Sequence, residues 1–112
     1  MPSAKLLVAR QTDNICGFVI SRQAADEEEL LMIAVSPECQ SQGIGYLLLE
    51  QMLLIARKDQ VTAVFLEMRS GNPAVKLYAK FGFREIGLRK DYYTGLNKKK
   101  FNAITYKTTF NN

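Results

Sequence analysis

Residues 30–58, LLMIAVSPECQSQGIGYLLLEQMLLIARK, contain the transition that decides the fold. The stretch opens with an apolar run of strand length, which Pro37 ends because proline cannot donate a backbone hydrogen bond to a sheet. From Gly43 to about Lys58 the pattern becomes helical. The apolar residues that recur there at helical spacing are Leu48, Leu49, Met52, Leu53 and Ala56. The stretch therefore predicts a buried strand that leads through a glycine-rich turn into an amphipathic helix.

The segments on either side predict the rest of a sheet. Further strands are predicted at 5–10, 15–22, 61–68, 83–89 and 101–109, and a short helix at 73–81. The polar segment 23–29 is predicted to be a solvated surface connector. Strands, helix, strand, helix and strands in this order, without a repeat, predict one mixed α/β domain over residues 1–112.

Composition narrows the chemistry that the chain can perform. The 112 residues are 47% hydrophobic and 23% charged, which is typical of one globular domain. The absence of histidine excludes Ser-His-Asp and Cys-His nucleophile schemes and most mixed zinc sites, so we predict no metal. Any proton transfer must use carboxylates, tyrosine, lysine, water or the backbone. The net charge of +4 permits an anionic ligand, and we predict no direct nucleic-acid contact.

The cysteines and the apolar runs predict the compartment. Cys16 and Cys39 lie far apart in sequence and are predicted to be two reduced thiols. The longest apolar run is shorter than the ~18 residues that a membrane span needs, and no basic and apolar leader opens the sequence. The sequence therefore predicts a cytoplasmic protein that does not contact membranes.

The turn Gln40-Ser41-Gln42-Gly43-Ile44-Gly45 is a candidate anion site. A glycine-rich turn between a strand and a helix presents backbone N–H groups at the positive end of the helix dipole. A nucleotide P-loop is excluded because no Gly-Lys-Ser/Thr follows, and Leu48 stands where a dinucleotide fingerprint needs its third glycine. Taken alone, the motif leaves open a tight turn with glycines for steric reasons only.

A second segment, residues 72–83, narrows the interpretation of the glycine-rich turn. Asn72-Pro73-Ala74 is followed by Leu77-Tyr78 and then Gly82-Phe83, some thirty residues after the glycine-rich turn. The two segments together resemble the GNAT acetyl-coenzyme A-dependent N-acetyltransferases, over about residues 5–109. Within that family, three stretches resemble the ribosomal-protein-alanine N-acetyltransferases. They are Ile33-Ala34-Val35-Ser36-Pro37, Leu66-Glu67-Met68-Arg69 and Gly87-Leu88-Arg89-Lys90-Asp91-Tyr92-Tyr93.

The resemblance implies a GNAT-like, mostly antiparallel sheet flanked by helices, and a binding site for acetyl-coenzyme A. In the family, the strand matching Ile33, Ala34 and Val35 pairs with the pantetheine arm. The turn that wraps the pyrophosphate would comprise Ser41, Gln42, Gly43, Ile44, Gly45 and Tyr46. Ser41 and Gln42 depart from the basic residues common there. Asn72 would also contact the coenzyme, although it lies one position later than the family's asparagine.

The resemblance also assigns proton transfers. Glu67 matches the general base, although a solvated strand-end charge or a partner of Arg69 is the alternative. Tyr78 matches the general acid that protonates the coenzyme thiolate, and the alternative is a packed core aromatic. Tyr92 and Tyr93 match the peptide groove, and a structural pair is the alternative.

The implied reaction moves the acetyl group of acetyl-coenzyme A to a protein's N-terminal α-amine, most simply the N-terminal alanine of a ribosomal protein. An α-amine titrates at ~7.7–8.0 and lysine at ~10.4, so a weak base that acts through water suits the α-amine better. Two other readings stay open. One is a GNAT enzyme that acts on a small amine or a lysine, and the other is a coenzyme A-binding or ribosome-associated module without turnover.

The start of the sequence suggests self-association. The family normally places a strand and two helices before the hairpin with which this sequence begins, so we expect a shortened domain with an uncovered sheet edge. The apolar residues expected at that surface are Leu6, Leu7, Val8, Ile15, Phe18 and Ile20. Uncovered edges template pairing, so the sequence predicts a homodimer, which light scattering would distinguish from a 12.7 kDa monomer.

Overall fold

A computed structural model describes residues 3–110. Its elements are β1 Ser3–Gln11, β2 Asn14–Ala24, β3 Glu27–Val35, α1 Ile44–Lys58, β4 Ala63–Arg69, α2 Val75–Ala79, β5 Arg84–Thr94 and β6 Lys100–Thr109. Short 3-10 turns lie at Pro37–Cys39 and Leu96–Lys98. The strand order is β1-β2-β3-β4-β6-β5, and β1/β2, β2/β3 and β5/β6 pair antiparallel. The predicted α/β class with a mostly antiparallel sheet is confirmed.

The described residues form two compact units. The first comprises the residues up to Val64 together with Phe110, and the second runs from Phe65 to Thr109. In the first unit α1 packs on β1, β2 and β3. All five apolar residues predicted for its inner face are buried. Gly17 allows close packing here, because a Cβ would lie 2.6 Å from the Ala34 carbonyl oxygen and 3.1 Å from Cδ1 of Leu48.

The segment 23–29 is a strand hairpin, so the predicted surface connector was wrong. β2 continues to Ala24, and β3 begins at Glu27. Alternation along β3 points Glu28 inward, where it is 1% exposed and accepts hydrogen bonds from Ser21 Oγ at 2.6 Å and Lys5 Nζ at 2.7 Å. Burial lowers the pKa of Lys5, but hydrogen bonds to Asp59 and Glu28 outweigh it and raise that pKa overall. Pairing is what allows a carboxylate to be buried.

Cys16 and Cys39 form a disulfide, so the prediction of two reduced thiols was wrong. Antiparallel pairing sets Gly17 opposite Val35, and the Ser36 N–H donates to the Cys16 carbonyl at 2.7 Å. The 3-10 turn that follows brings the two Cα atoms to 5.7 Å across a sequence separation of 23 residues. The disulfide removes the reduced thiols as support for a cytoplasmic location, which stays a prediction. No helix within residues 3–110 is long and apolar enough to cross a membrane.

The second unit contains α2 and the hairpin formed by β5 and β6. α2 covers only Val75–Ala79 of the predicted 73–81, because turns occupy the flanking residues. β5 extends to Thr94, beyond the predicted 83–89, and its register with β6 shifts between Arg89 and Tyr93. This extension carries the tyrosine pair into the strand.

β1 lies at one end of the strand order. None of the six apolar residues expected at this surface is fully buried. Leu6 is 66% exposed and Ile15 is 55% exposed. Self-association through this surface stays a prediction.

Candidate active site

The glycine-rich turn has the backbone geometry of an anion site. Gly43 caps the N-terminus of α1 with φ 78°, and a Cβ built there would meet no atom within 4 Å. Ser41 also has a positive φ, of 65°. The first turn of an α-helix offers N–H groups without intrahelical acceptors, at the positive end of the dipole. The open space at Gly43 therefore leaves this backbone accessible to an anion.

Side chains of the turn brace its backbone. Gln40 Nε2 donates to the Val35 carbonyl at 3.2 Å. Gln42 accepts from Gln11 Nε2 at 2.9 Å and donates to the Glu38 carbonyl at 3.4 Å. The side chain of Gln42 thus shapes the turn, and its backbone N–H remains the group assigned to the ligand. Sequence reasoning missed the bracing by Gln11, because its partner is 31 positions away.

The other predicted coenzyme residues of the first unit lie along the same path. Ile33, Ala34 and Val35 end β3, are half-buried and pair with the segment of β2 from Val19 to Gly17. In the turn and first helical residues, Ile44 is buried, Gly45 is half-buried, and the exposed residues are Ser41, Gln42, Gly43 and Tyr46. The 3-10 turn Pro37–Cys39 joins the strand end to the glycine-rich turn, and the coenzyme contacts of both stay predictions.

Glu67 is half-buried on β4 and has two partners from β5. Tyr93 Oη donates to Glu67 Oε1 at 3.4 Å, and Arg89 Nε lies 3.8 Å from Glu67 Oε2. Arg69, the alternative partner considered from the sequence, instead places its guanidinium carbon 4.5 Å from the centre of the Phe101 ring. The second unit thus brings together Glu67 and Tyr93, two of the predicted site residues.

The two adjacent tyrosines near the end of β5 differ in environment. Tyr92 is 53% exposed, whereas Tyr93 is half-buried, and their rings meet edge to face with centroids 5.2 Å apart. Burial, followed by the negative charge of Glu67, raises the pKa of Tyr93, so its hydroxyl stays protonated and remains a donor at neutral pH. Arg89 was missed as a site residue, because one arginine in a segment that mixes basic and acidic residues gives no distinguishing signal.

Tyr78 and Asn72 make other contacts in the second unit. Tyr78 is 5% exposed and packs edge to face on Phe83, with ring centroids 5.6 Å apart. Burial raises the pKa of Tyr78, which keeps the phenol protonated at neutral pH. Asn72 Oδ1 accepts a hydrogen bond from the Ala74 N–H at 2.9 Å, which commits this oxygen to the turn before α2. The coenzyme contact of Asn72 stays a prediction.

Comparison with known families identifies the domain. The model of the acetyltransferase (GNAT) domain matches residues 2–85, which are most of the chain. The chain belongs to the GNAT family. The predicted family resemblance is thereby confirmed for a stretch that includes the glycine-rich turn, Glu67 and Tyr78.

The GNAT chain has curated relatives that share one name, [ribosomal protein bS18]-alanine N-acetyltransferase. The relative from Haemophilus influenzae is 36% identical over 94 residues, which are 84% of this chain and 64% of the relative. The relative from Escherichia coli K12 is 38% identical over 84 residues, which are 74% of this chain and 57% of the relative. The chain therefore aligns with less than two thirds of the length of either relative.

Solved GNAT structures share the fold. The crystal structure of the ribosomal-protein-S18-alanine N-acetyltransferase from Escherichia coli superposes with a TM-score of 0.90 at 32% identity, covering 95% of this chain and 68% of that chain. A Bacillus anthracis protein in complex with acetyl coenzyme A gives a TM-score of 0.83 at 26% identity, covering 94% of this chain and 61% of that one. Within residues 3–110, no group of three or more Cys, Asp or Glu residues is arranged to hold a metal ion.

Proposed function

We propose that this GNAT chain transfers the acetyl group of acetyl-coenzyme A to the N-terminal α-amine of a protein, and that its acceptor is the N-terminal alanine of a ribosomal protein. The observation that carries the proposal is the turn at Gly43, whose open, left-handed backbone at the start of α1 fits a pyrophosphate. The name shared by the curated relatives supports the choice of acceptor.

The coenzyme thioester supplies an activated acetyl group, and side chains of this protein accept and donate the protons. As the amine nitrogen bonds to the acetyl carbon, the carbon–sulfur bond breaks. Glu67 accepts the proton that leaves the amine, through water, and Tyr78 gives a proton to the departing sulfur. Tyr93 and Arg89 contact the two Glu67 oxygens at 3.4 and 3.8 Å, and each carboxylate oxygen keeps a second lone pair that can accept a hydrogen bond from the bridging water.

The proposed acceptor also sets the proposed location and partners. A ribosomal protein N-terminus is met in the cytoplasm, where we place the enzyme. Recognition of an N-terminus needs only the peptide and the coenzyme, so we assign neither a nucleic acid nor a membrane as a direct partner. Tyr92 and Tyr93 remain the residues proposed to contact the peptide.

A peptide panel tests this function. The chain is incubated with acetyl-coenzyme A and peptides that begin with alanine or serine, or that carry only an internal lysine behind a blocked N-terminus. Mass spectrometry is expected to show one added acetyl group on the alanine peptide's α-amine. Acetylation of the lysine peptide alone would support the small-amine or lysine enzyme. Binding of the coenzyme without acetylation of any peptide would support a module without turnover.

The turn itself can be tested by binding alone. Gly43→Glu is expected to weaken coenzyme A binding at least about tenfold, because a carboxylate would enter the space assigned to the pyrophosphate at the helix N-terminus. Gly43→Ala is the control for backbone strain at φ 78°, since it adds a methyl group without charge. It is expected to bind within a few-fold of wild type by calorimetry. Equal binding by folded Gly43→Glu would remove the turn from the coenzyme site.

A further inference from the structure

Four side chains of the second unit, one of them the proposed base Glu67, form a closed ring of contacts. Glu67 is contacted by Arg89 at 3.8 Å and by the hydroxyl of Tyr93 at 3.4 Å. The guanidinium carbon of Arg89 lies 5.0 Å from the centre of the Tyr92 ring, which in turn meets the Tyr93 ring edge to face. Each member therefore contacts two others, and each carboxylate oxygen of Glu67 has its own partner.

β5 is irregular at the residues that contribute to this ring. In a regular strand, neighbouring side chains point to opposite faces, so Tyr92 and Tyr93 would not both lie near Arg89 and Glu67. The register with β6 shifts between Arg89 and Tyr93, and Asp91 adopts a left-handed φ of 54°. The Asp91 N–H is held by Asn102 Oδ1 at 3.0 Å. A bulge of this kind redirects side chains, and bulges are common beside active sites.

We infer that Arg89 is a positioning residue for Glu67: its guanidinium, steadied over the Tyr92 ring, orients the carboxylate that accepts the amine proton. This inference rests on the proposed function. The side chain of Arg89 is 61% exposed, and exposed ion pairs contribute little to folding. The cation–π contact and the bulge nevertheless restrict where the guanidinium can lie. The arrangement therefore acts on orientation rather than on stability.

The kinetic consequence follows from this placement. Without Arg89, one oxygen of Glu67 loses its partner, and the carboxylate samples rotamers from which it cannot reach the amine or its bridging water. Small misplacements of catalytic groups lower rates substantially. Arg89→Ala is expected to lower kcat about tenfold, less than the loss of the base itself. The KM values for acetyl-coenzyme A and for the peptide are expected to stay within about twofold.

Three companion variants make the experiment specific. Arg89→Lys retains a cation and is expected to recover part of kcat. Lys90→Ala removes the next charge of the same exposed strand and is expected to match wild type. In a Glu67→Gln background, Arg89→Ala is expected to cause no further loss, because residues that act as one unit are not additive. The melting temperature of each variant is measured alongside the kinetics and is expected to be unchanged.

Each alternative result overturns the inference. A kcat for Arg89→Ala equal to that for Lys90→Ala, an effect confined to the peptide KM, or a full further loss in the Glu67→Gln background would show that Arg89 does not act through Glu67. A lowered melting temperature that accounts for the loss would assign Arg89 a structural role. Wild-type protein that acetylates no peptide would instead remove the proposed function, and the inference with it.

Discussion

Replacing Glu67 with glutamine is expected to lower kcat for acetylation of an alanine-terminated peptide ~10²–10⁴-fold, the range for loss of a general base. Glutamine has nearly the same shape and can still contact Tyr93 and Arg89, but its neutral amide cannot accept a proton from the amine. The KM for acetyl-coenzyme A is expected to change little, because coenzyme binding is assigned to the turn at Gly43. Steady-state kinetics with mass detection of the product measures both quantities.

Glu85→Gln is the matched control for this experiment. Glu85 is an exposed carboxylate of β5 in the same compact unit, and it lies opposite Tyr106 in the strand register, away from the four-residue ring. Its neutralisation is expected to leave kcat within about twofold of wild type. If both Glu67→Gln and Glu85→Gln retained full kcat, Glu67 would be only a solvated charge at the end of a strand. The proton would then leave the amine through water alone.

The sequence predicted best those parts of the fold that depend on the local spacing of apolar residues. The apolar spacing from Leu48 to Ala56 predicts α1 and its buried face, and the helix occupies Ile44–Lys58 as expected to within one residue. A glycine before a helix also indicates the turn, because few other residues adopt a φ of 78°. Both α1 and the turn before it depend on residues that are close in sequence. A single sequence is therefore enough to predict them.

Contacts across strands account for the wrong and missing predictions. The polar segment 23–29 was predicted to be a solvated connector, because the partners that bury Glu28 come from other strands. Cys16 and Cys39 looked independent because strand pairing and the 3-10 turn after β3 together join positions that the sequence separates by 23 residues. Only the register of the strands identifies such pairs, and register follows from tertiary packing as much as from local pattern.

In the candidate site, too, local sequence predicted single residues but not the contacts made across strands. Family motifs identified Glu67 and Tyr78 as single positions, but the sequence did not indicate that Tyr93 donates to Glu67 or that Arg89 lies beside it. The irregularity at Asp91, which accompanies the placement of Tyr92 beside Tyr93, likewise has no glycine or proline to mark it in the sequence. The motifs therefore predicted individual positions, whereas the contacts between them follow from how β4 and β5 are placed in the fold.

Tyr78→Phe is expected to lower kcat about 10²-fold while coenzyme affinity stays within a few-fold of wild type. The value lies at the lower end of the ~10²–10⁴ range for a general acid, because a thiolate whose conjugate thiol titrates near ~8.5 can leave without a full proton. Burial raises the pKa of Tyr78, so the phenol carries its proton throughout the neutral range but donates it less readily. The activity that depends on this proton should therefore persist with rising pH beyond the ordinary tyrosine pKa of ~10.

Tyr106→Phe is the matched control, because it removes a hydroxyl from another half-buried tyrosine of the same unit. It is expected to leave kcat unchanged. The Tyr78→Phe variant keeps the ring that packs edge to face on Phe83, so its stability is expected to change by less than ~1 kcal/mol. A loss of kcat without a loss of stability therefore isolates the proton. Unchanged turnover in Tyr78→Phe would assign Tyr78 to the core, and the departing sulfur would then take its proton from water.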